Sequence, residues 1–347
     1  MEGNPLHSSH SEDIASPVVR IKETFEIESN ESTNEWNNRN QTKNRFYSFQ
    51  LLHISAVIVI VFCIIFPPIM VWYFQSCNQS TYITSSASSS ATSSPLNYQK
   101  WSGQRVMFIY AHIDDMEASS GGLVALLKGI AEIYILVITN GDKGCGNTEL
   151  CGNSTNSELT QIRQGEQYNS AAILGFPNEN IIFLNYEDCL LDTYGTGEVE
   201  YVIVGYVRKY KPHVVITWDP VAKFDMVPSE GWDDMGYHPD HQTSGNLALN
   251  SVWNAQLSRL WPEQGYWKIS ELYFWAFTPT KVPDFYVDVT GAPYETKTKS
   301  FLAMQSQYAY NDSASMITFL DFMGNQSAAL VGLPQGRKSE GYNYILW

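Results

Sequence analysis

Two short clusters in this chain bring together residues that can bind a metal ion and move a proton. His112, Asp114 and Asp115 fall in the segment AHIDDM, and His238, Asp240 and His241 in YHPDHQ. A catalytic zinc commonly takes three ligands from imidazole and carboxylate groups and keeps a fourth place open for water. His112 and Asp115 are three positions apart, so on the first turn of a helix both can face one cation. Asp114 lies between them and can point elsewhere, free to accept a proton. Two histidines and one carboxylate meet the three-ligand requirement, which leaves His238 for proton transfer and Asp240 to orient it. Taken alone, each cluster has a plainer reading: HxDD as a helix N-cap beside a hydrogen-bonded His, and HPDH as a polar turn.

The surrounding sequence determines whether the clusters can meet. RVMFIYA (105–111), IYILVIT (133–139), IIFLN (181–185) and HVVIT (213–217) read as short, wholly apolar strands. Between them lie amphipathic stretches around 119–130, 157–175 and 197–210, the second ending at a Gly that stops a helix. Apolar strands alternating with helices imply a mainly parallel, Rossmann-like α/β sheet with helices on both faces. Ligands bind at the carboxyl edge of such a sheet; the first cluster leaves its strand directly, and the second follows HVVIT after a loop containing WDP. LYFWAF and FYVDV suggest further strands, and a helix is expected near Glu295 to Gln305. The first strand leads into AHIDDMEASSGG rather than GxGxxG, so a dinucleotide site is unsupported.

With those residues in place, the chain resembles the LmbE/PIG-L-like family of zinc-dependent de-N-acetylases. The resemblance lies in AHIDDM, in HPDH (238–241), and in TNGDKG (139–144), RQGE (163–166), FLNYED (183–188) and KTKSFLAMQSQY. It covers about residues 103 to 345. It implies a Zn2+ cofactor held by His112, Asp115 and His241, with Asp114 as general base and His238 stabilising or protonating the tetrahedral intermediate. It further implies that Arg163 and Asp188 hold sugar hydroxyls. Ile113 stands where the family has Pro, Met116 where it has an acidic residue, and Cys189 where Gly is common. The implied substrate is an N-acetylated amino sugar, with N-acetylglucosaminyl-phosphatidylinositol of GPI-anchor assembly as one form and a lumenal or extracellular glycan as the other.

The rest of the chain suggests how such a domain is carried. Residues 1–48 are polar and aperiodic, as a disordered tail would be. Residues 49–75 contain AVIVIVFCIIF and are long enough for a hydrocarbon core ~30 Å thick, which predicts one transmembrane helix. Residues 76–102 form a Ser/Thr-rich stem, and 103–347 the catalytic domain. Lys43 and Arg45 precede the apolar run closely, so the N-terminus is expected in the cytoplasm, in an endoplasmic reticulum or Golgi protein. Cys145 and Cys151 are the first pair to consider for a disulfide, and Asn78, Asn153, Asn311 and Asn325 head sequons a lumenal domain could use. Asn30 and Asn40 head two more in the tail. A formal net charge of −15 speaks against nucleic acid as a partner.

The short tail, single span and stem would equally suit a Golgi glycosyltransferase with Asp114 and Asp115 on a metal–nucleotide sugar. That reading leaves His112 and the HPDH cluster without a purpose. A glycosidase would need two opposed carboxylates, for which Glu117 is a candidate. A silent sugar-binding protein would have no use for the intact base. The metal reading predicts roughly one zinc per chain by elemental analysis, lost in His112→Ala or His241→Ala because two ligands cannot hold the ion at useful affinity.

Overall fold

The computed structural model describes residues 92–221, 238–276, 282–309 and 312–345, all within one compact unit, Ser88–Trp347. The expected tail, the apolar run at 49–75 and most of the stem lie outside the described residues. No helix among the described residues is long and apolar enough to cross a membrane.

Eight strands form one sheet. They are β1 (Ser94–Pro95), β2 (Arg105–Tyr110), β3 (Glu132–Thr139), β4 (Ile181–Tyr186), β5 (Val214–Trp218), β6 (Glu271–Trp275), β7 (Phe285–Asp288) and β8 (Ser339–Ile345). The helices are α1 (Asp115–Leu127), the single turn α2 (Thr148–Cys151), α3 (Asn156–Leu174), α4 (Thr196–Tyr210), α5 (Pro239–Ala255), α6 (Ala292–Phe301) and α7 (Ser313–Leu330). The strand order is β1-β7-β8-β6-β5-β2-β3-β4. Every pairing is parallel except those of β8, which runs against β6 and β7.

The apolar runs become central strands because both their faces are covered. Val106, Phe108 and Tyr110 of β2 enter one hydrophobic cluster with Leu123 and Leu127 of α1 and Leu320 of α7. Met107 and Ile109 point the other way, into a cluster with Val199, Ile203 and Val207 of α4 and Leu247 and Val252 of α5. Burying each such side chain is worth roughly 1.5–3 kcal/mol, so the alternation along β2 ties both helical layers to one strand. The order reverses at β2: β3 and β4 lie on one side, β5 and β6 on the other. The carboxyl ends of β2 and β5 therefore lie side by side.

Three elements depart from the sequence expectations. Ser94 and Pro95, assigned above to the stem, pair with β7, and Trp101 a few residues on is wholly buried with its indole N–H on Glu271. The folded part thus begins before residue 103. The helix expected near Glu295 to Gln305 ends at Phe301, and a 3-10 turn follows at Gln305–Gln307. α7 and β8 were not foreseen; β8 fills the sheet between β6 and β7. Its Glu340 accepts hydrogen bonds from the backbone N–H groups of Gly122 and Leu123 and from Lys297 Nζ at 2.7 Å. Lys297 and Glu340 are 5% and 3% exposed. Removing one partner of a buried pair costs about 3–5 kcal/mol. Lys297→Met should therefore lower the urea unfolding free energy by about that amount.

Candidate metal and catalytic centre

β2 runs out at Tyr110, and the next four residues turn sharply into α1. Asp114, the residue before the helix, has φ 108° and ψ −24°. A side chain in the left-handed region costs about 1–3 kcal/mol and persists only where the surroundings impose it. Arg163 of α3 imposes it here. Its guanidinium donates to the carbonyl oxygens of Ile113 and Gly141 and to Asp114 Oδ2 at 3.2 Å. Gly141 has φ +65°, and a Cβ there would lie 2.7 Å from Arg163 Nη1, so the arginine can reach the turn only past a glycine. α3 is itself fixed by a capping box between Thr155 and Glu158.

Asp115 opens α1 and is 4% exposed. Its Oδ2 accepts from the backbone N–H of His112 at 2.8 Å and from Trp218 Nε1 at 2.9 Å. Its Oδ1 is 3.1 Å from His241 Nε2, and Oδ2 is 3.6 Å from His112 Nδ1. His112 Nδ1 and His241 Nε2 are 3.1 Å apart. Trp218 at the end of β5 stacks on His241, with ring centroids 4.1 Å apart and planes 14° from parallel. Gly245 lets α5 approach this strand end, since a Cβ there would meet the Trp218 carbonyl at 2.6 Å.

The other edge of His112 is equally occupied. His112 Nε2 lies 3.1 Å from Asp188 Oδ1 and 3.3 Å from Asp240 Oδ2. Asp240 is wholly buried and also accepts from the N–H groups of Cys189 and Leu191. Its carboxylate thus faces His112; only its backbone N–H reaches His238, donating to Nδ1 at 3.2 Å. That differs from the expectation that Asp240 orients His238 through its side chain. With Nδ1 accepting, the proton of a neutral His238 sits on Nε2, which points toward the Cys189 sulfur at 3.7 Å. Arg163 and Asp188, expected to hold sugar hydroxyls, are each 3% exposed and direct their polar atoms at the site itself. Cys189 has φ +65°, the reason a glycine suits this position.

The charge balance explains what the pocket can hold. Burial pushes His112 toward its neutral form, but Asp115, Asp188 and Asp240 overcome this and hold its pKa well above the usual range. Burial raises Asp115, yet His241 and His112 hold it well below the carboxylate range. Burial likewise raises Asp188, and His112 and Arg163 bring it down. The cradle therefore draws a positive charge to its centre. Two ligands each ~2.1 Å from a tetrahedral zinc lie ~3.4 Å apart. The separations among His112, Asp115 and His241 are 3.1, 3.1 and 3.6 Å, with His241 facing Oδ1 of the carboxylate and His112 facing Oδ2. His238 also comes within range, since donor atoms of His112, His238 and His241 lie within 4.8 Å of one another. With Nε2 of His112 turned to carboxylates, its Nδ1 lone pair faces the centre, a common arrangement behind metal-bound histidines. The residues fit a zinc ion.

Residues 107–252 match the family model described as GlcNAc-PI de-N-acetylase. The chain is 34% identical over 151 residues to diacetylchitobiose deacetylase of Thermococcus kodakarensis, covering 43% of this chain and 49% of that protein. It is 26% identical over 203 residues to 1D-myo-inositol 2-acetamido-2-deoxy-alpha-D-glucopyranoside deacetylase of Rhodococcus opacus, covering 51% and 62%. The chain thus spans about half to three fifths of these curated relatives. Its fold matches N,N'-diacetylchitobiose deacetylase from Pyrococcus horikoshii with a TM-score of 0.59 and 27% identity, over 72% of this chain and 87% of that one. The fold is α/β, and its site gathers side chains that could hold a metal ion. Over residues 107–252 the chain is similar to the LmbE/PIG-L-like de-N-acetylases.

Trp218 is the residue that sequence reasoning passed over, because at the end of an apolar strand it reads as core. Its position four places after the start of β5 and just before Asp-Pro was the available signal. Since it holds one proposed ligand by hydrogen bond and another by stacking, Trp218→Phe should keep the stack and lose the bond. Loss of such a partner typically costs 10–100-fold in metal affinity. Zinc retention against a competing chelator should fall by about that factor, and further in Trp218→Leu.

Proposed function

We propose that the protein is a zinc-dependent N-deacetylase acting on N-acetylglucosamine carried on a larger, uncharged glycan or glycoside. The observation that carries the reading is the convergence of His112, Asp115 and His241 around one point, with the Asp114 carboxylate held next to it by Arg163. The relatives' names supply the class of bond.

An amide is a poor electrophile and water a weak nucleophile. Zinc held by His112, Asp115 and His241 supplies Lewis acidity to the acetyl group and acidifies water. Asp114 takes the proton as water adds to the acetyl carbon. Burial raises its pKa to about 7 against the pull of Arg163, which makes it a stronger base than an ordinary carboxylate. The same proton then passes to the sugar nitrogen as the C–N bond breaks, giving acetate and the free amine. His238 faces the pocket with an Nε2–H. Burial and the neighbouring rings of His112 and His241 lower its pKa, so it serves the developing oxyanion as a neutral donor. Arg163 positions Asp114, and Asp188 and Asp240 orient His112.

Charge supports an uncharged substrate. Lys143 and Arg163 are the cations beside this cluster among the described residues. Lys143 is bound to Asp142 and Glu187 at 2.7 and 2.8 Å, and Arg163 is buried against backbone carbonyls and Asp114. Neither is free to receive a phosphate. Glu117 offers no glycosidase chemistry, being wholly buried against Gln167 and Ser170.

The test is acetate release from N-acetylated chito-oligosaccharides, from GlcNAc-inositol phospholipid and from an N-acetyl-lysine peptide. Release is expected from the oligosaccharides, with Asp114→Asn keeping its zinc and losing at least ~10²-fold in rate. Preference for the lipid would move the substrate to GPI assembly, and preference for the peptide would refute the sugar reading.

A further inference from the structure

The loop between β3 and α3 carries a feature that the chemistry above does not use. Cys145 and Cys151 form a disulfide, closing a seven-residue turn that contains α2. Two residues on, Asn153 begins the sequon Asn153-Ser154-Thr155. The loop is anchored by other residues: Gly146 N–H and Asn147 N–H donate to the Ser306 carbonyl, and the Asn147 amide donates to the Gln305 carbonyl. Gln307 Nε2 donates to the Gly144 carbonyl. Asn153 is left exposed in the turn before α3, with Gly152 exposed beside it.

The other sequon within the described residues looks very different. Asn325 lies in the middle of α7, and its third residue, Ser327, is 7% exposed with its hydroxyl bonded to Ser339 Oγ at 2.8 Å. Regular helix there holds the acceptor segment rigid and hides its hydroxyl. At Asn153 the chain is in a turn and the side chain is open to solvent. Sugar attachment suits surface loops of this kind.

We propose that Asn153 is an N-glycosylation site and that the catalytic domain matures in an oxidising, extracytoplasmic compartment. The two features are independent and meet within nine residues. A disulfide persists where the thiol pool does not reduce it, and sequon glycosylation belongs to that same side of the membrane. In the attachment step, the Asn153 amide nitrogen bonds to the anomeric carbon of a lipid-diphosphate-linked oligosaccharide. The amide gives up one proton, and the lipid diphosphate leaves. In the disulfide, two thiols give up two protons and two electrons to a disulfide-carrying oxidant. The modified loop also forms one wall of the site: Asn156 donates to Asp142 Oδ2, and Asp142 Oδ1 accepts from the Asp188 N–H.

The experiment is peptide mapping by mass spectrometry of the full chain made in insect or mammalian cells. Before reduction, iodoacetamide should label Cys189, which is free and exposed, and leave Cys145 and Cys151 unlabelled. Enzymatic deglycosylation in heavy-oxygen water should convert Asn153 to labelled Asp and leave Asn325 as Asn. Asn153→Gln should lose one glycan's mass and keep the disulfide, while Thr155→Ser keeps the glycan. An unmodified Asn153, or Cys145 and Cys151 labelled without reduction, overturns the proposal. None of these readouts involves deacetylation, so the result is independent of whether the proposed activity is found.

Discussion

The carboxylate of Asp115 is the group around which the rest of the centre is arranged. Two N–H donors, the His112 backbone and the Trp218 indole, and two imidazole rings, those of His112 and His241, converge on it from three parts of the chain. A buried charge is costly unless it is paired and hydrogen-bonded, so none of these partners is dispensable on its own. Because the partners come from the ends of β2 and β5 and the start of α5, satisfying one carboxylate aligns those three elements. The sheet order follows the same requirement, since β2 and β5 must be neighbours for Trp218 to reach Asp115.

That arrangement has a local cost at Asp114, whose left-handed backbone no tight turn of ordinary residues would choose. The strain is sustained because Arg163 holds both the Ile113 carbonyl and the Asp114 side chain. Arg163 is carried by α3, and α3 is locked to the segment after α6 by Glu166, which accepts from the Ser306 N–H and hydroxyl at 2.7 Å each. Ser306 in turn receives the backbone of the disulfide loop. A chain of contacts thus runs from the strained aspartate through α3 and Ser306 to the disulfide loop. Motifs widely separated in sequence act as one support for a single turn.

Much of this was legible in the sequence. The strands of β2 to β7 and the helices between them follow from apolar runs and 3.6-residue periodicity, and the eight residues singled out for chemistry do come together at the carboxyl edge. What could not be read has physical causes. β8 contains Ser339, Glu340 and Gly341 and lacks the apolar signature of a central strand, because its burial rests on Glu340 pairing with Lys297 and the α1 backbone. α7 follows a short polar link with little amphipathic contrast. The side chains of Arg163, Asp188 and Asp240 point at His112 and Asp114 rather than outward, a direction that spacing alone does not encode. Trp218 was invisible for the opposite reason: a tryptophan ending a buried strand satisfies every expectation of core.

The balance of charge at His112 gives the centre its selectivity. Three buried carboxylates within hydrogen-bond reach of one imidazole leave the pocket short of positive charge. Without an ion, Asp115, Asp188 and Asp240 favour a proton on His112 against the cost of its burial. A divalent cation between His112 and His241 would take over that charge and release the proton, so ion binding and proton release are one exchange. The proposed ligands are already held in place by Trp218, Asp188 and Asp240, so little binding energy would be spent on ordering them. The same charges act outward. Asp114, Asp142, Glu187 and Asp188 gather round the pocket, and among the described residues Lys143 and Arg163 are paired with them. A site lined in this way attracts cations, and the proposed preference for an uncharged substrate rests on that excess of negative charge.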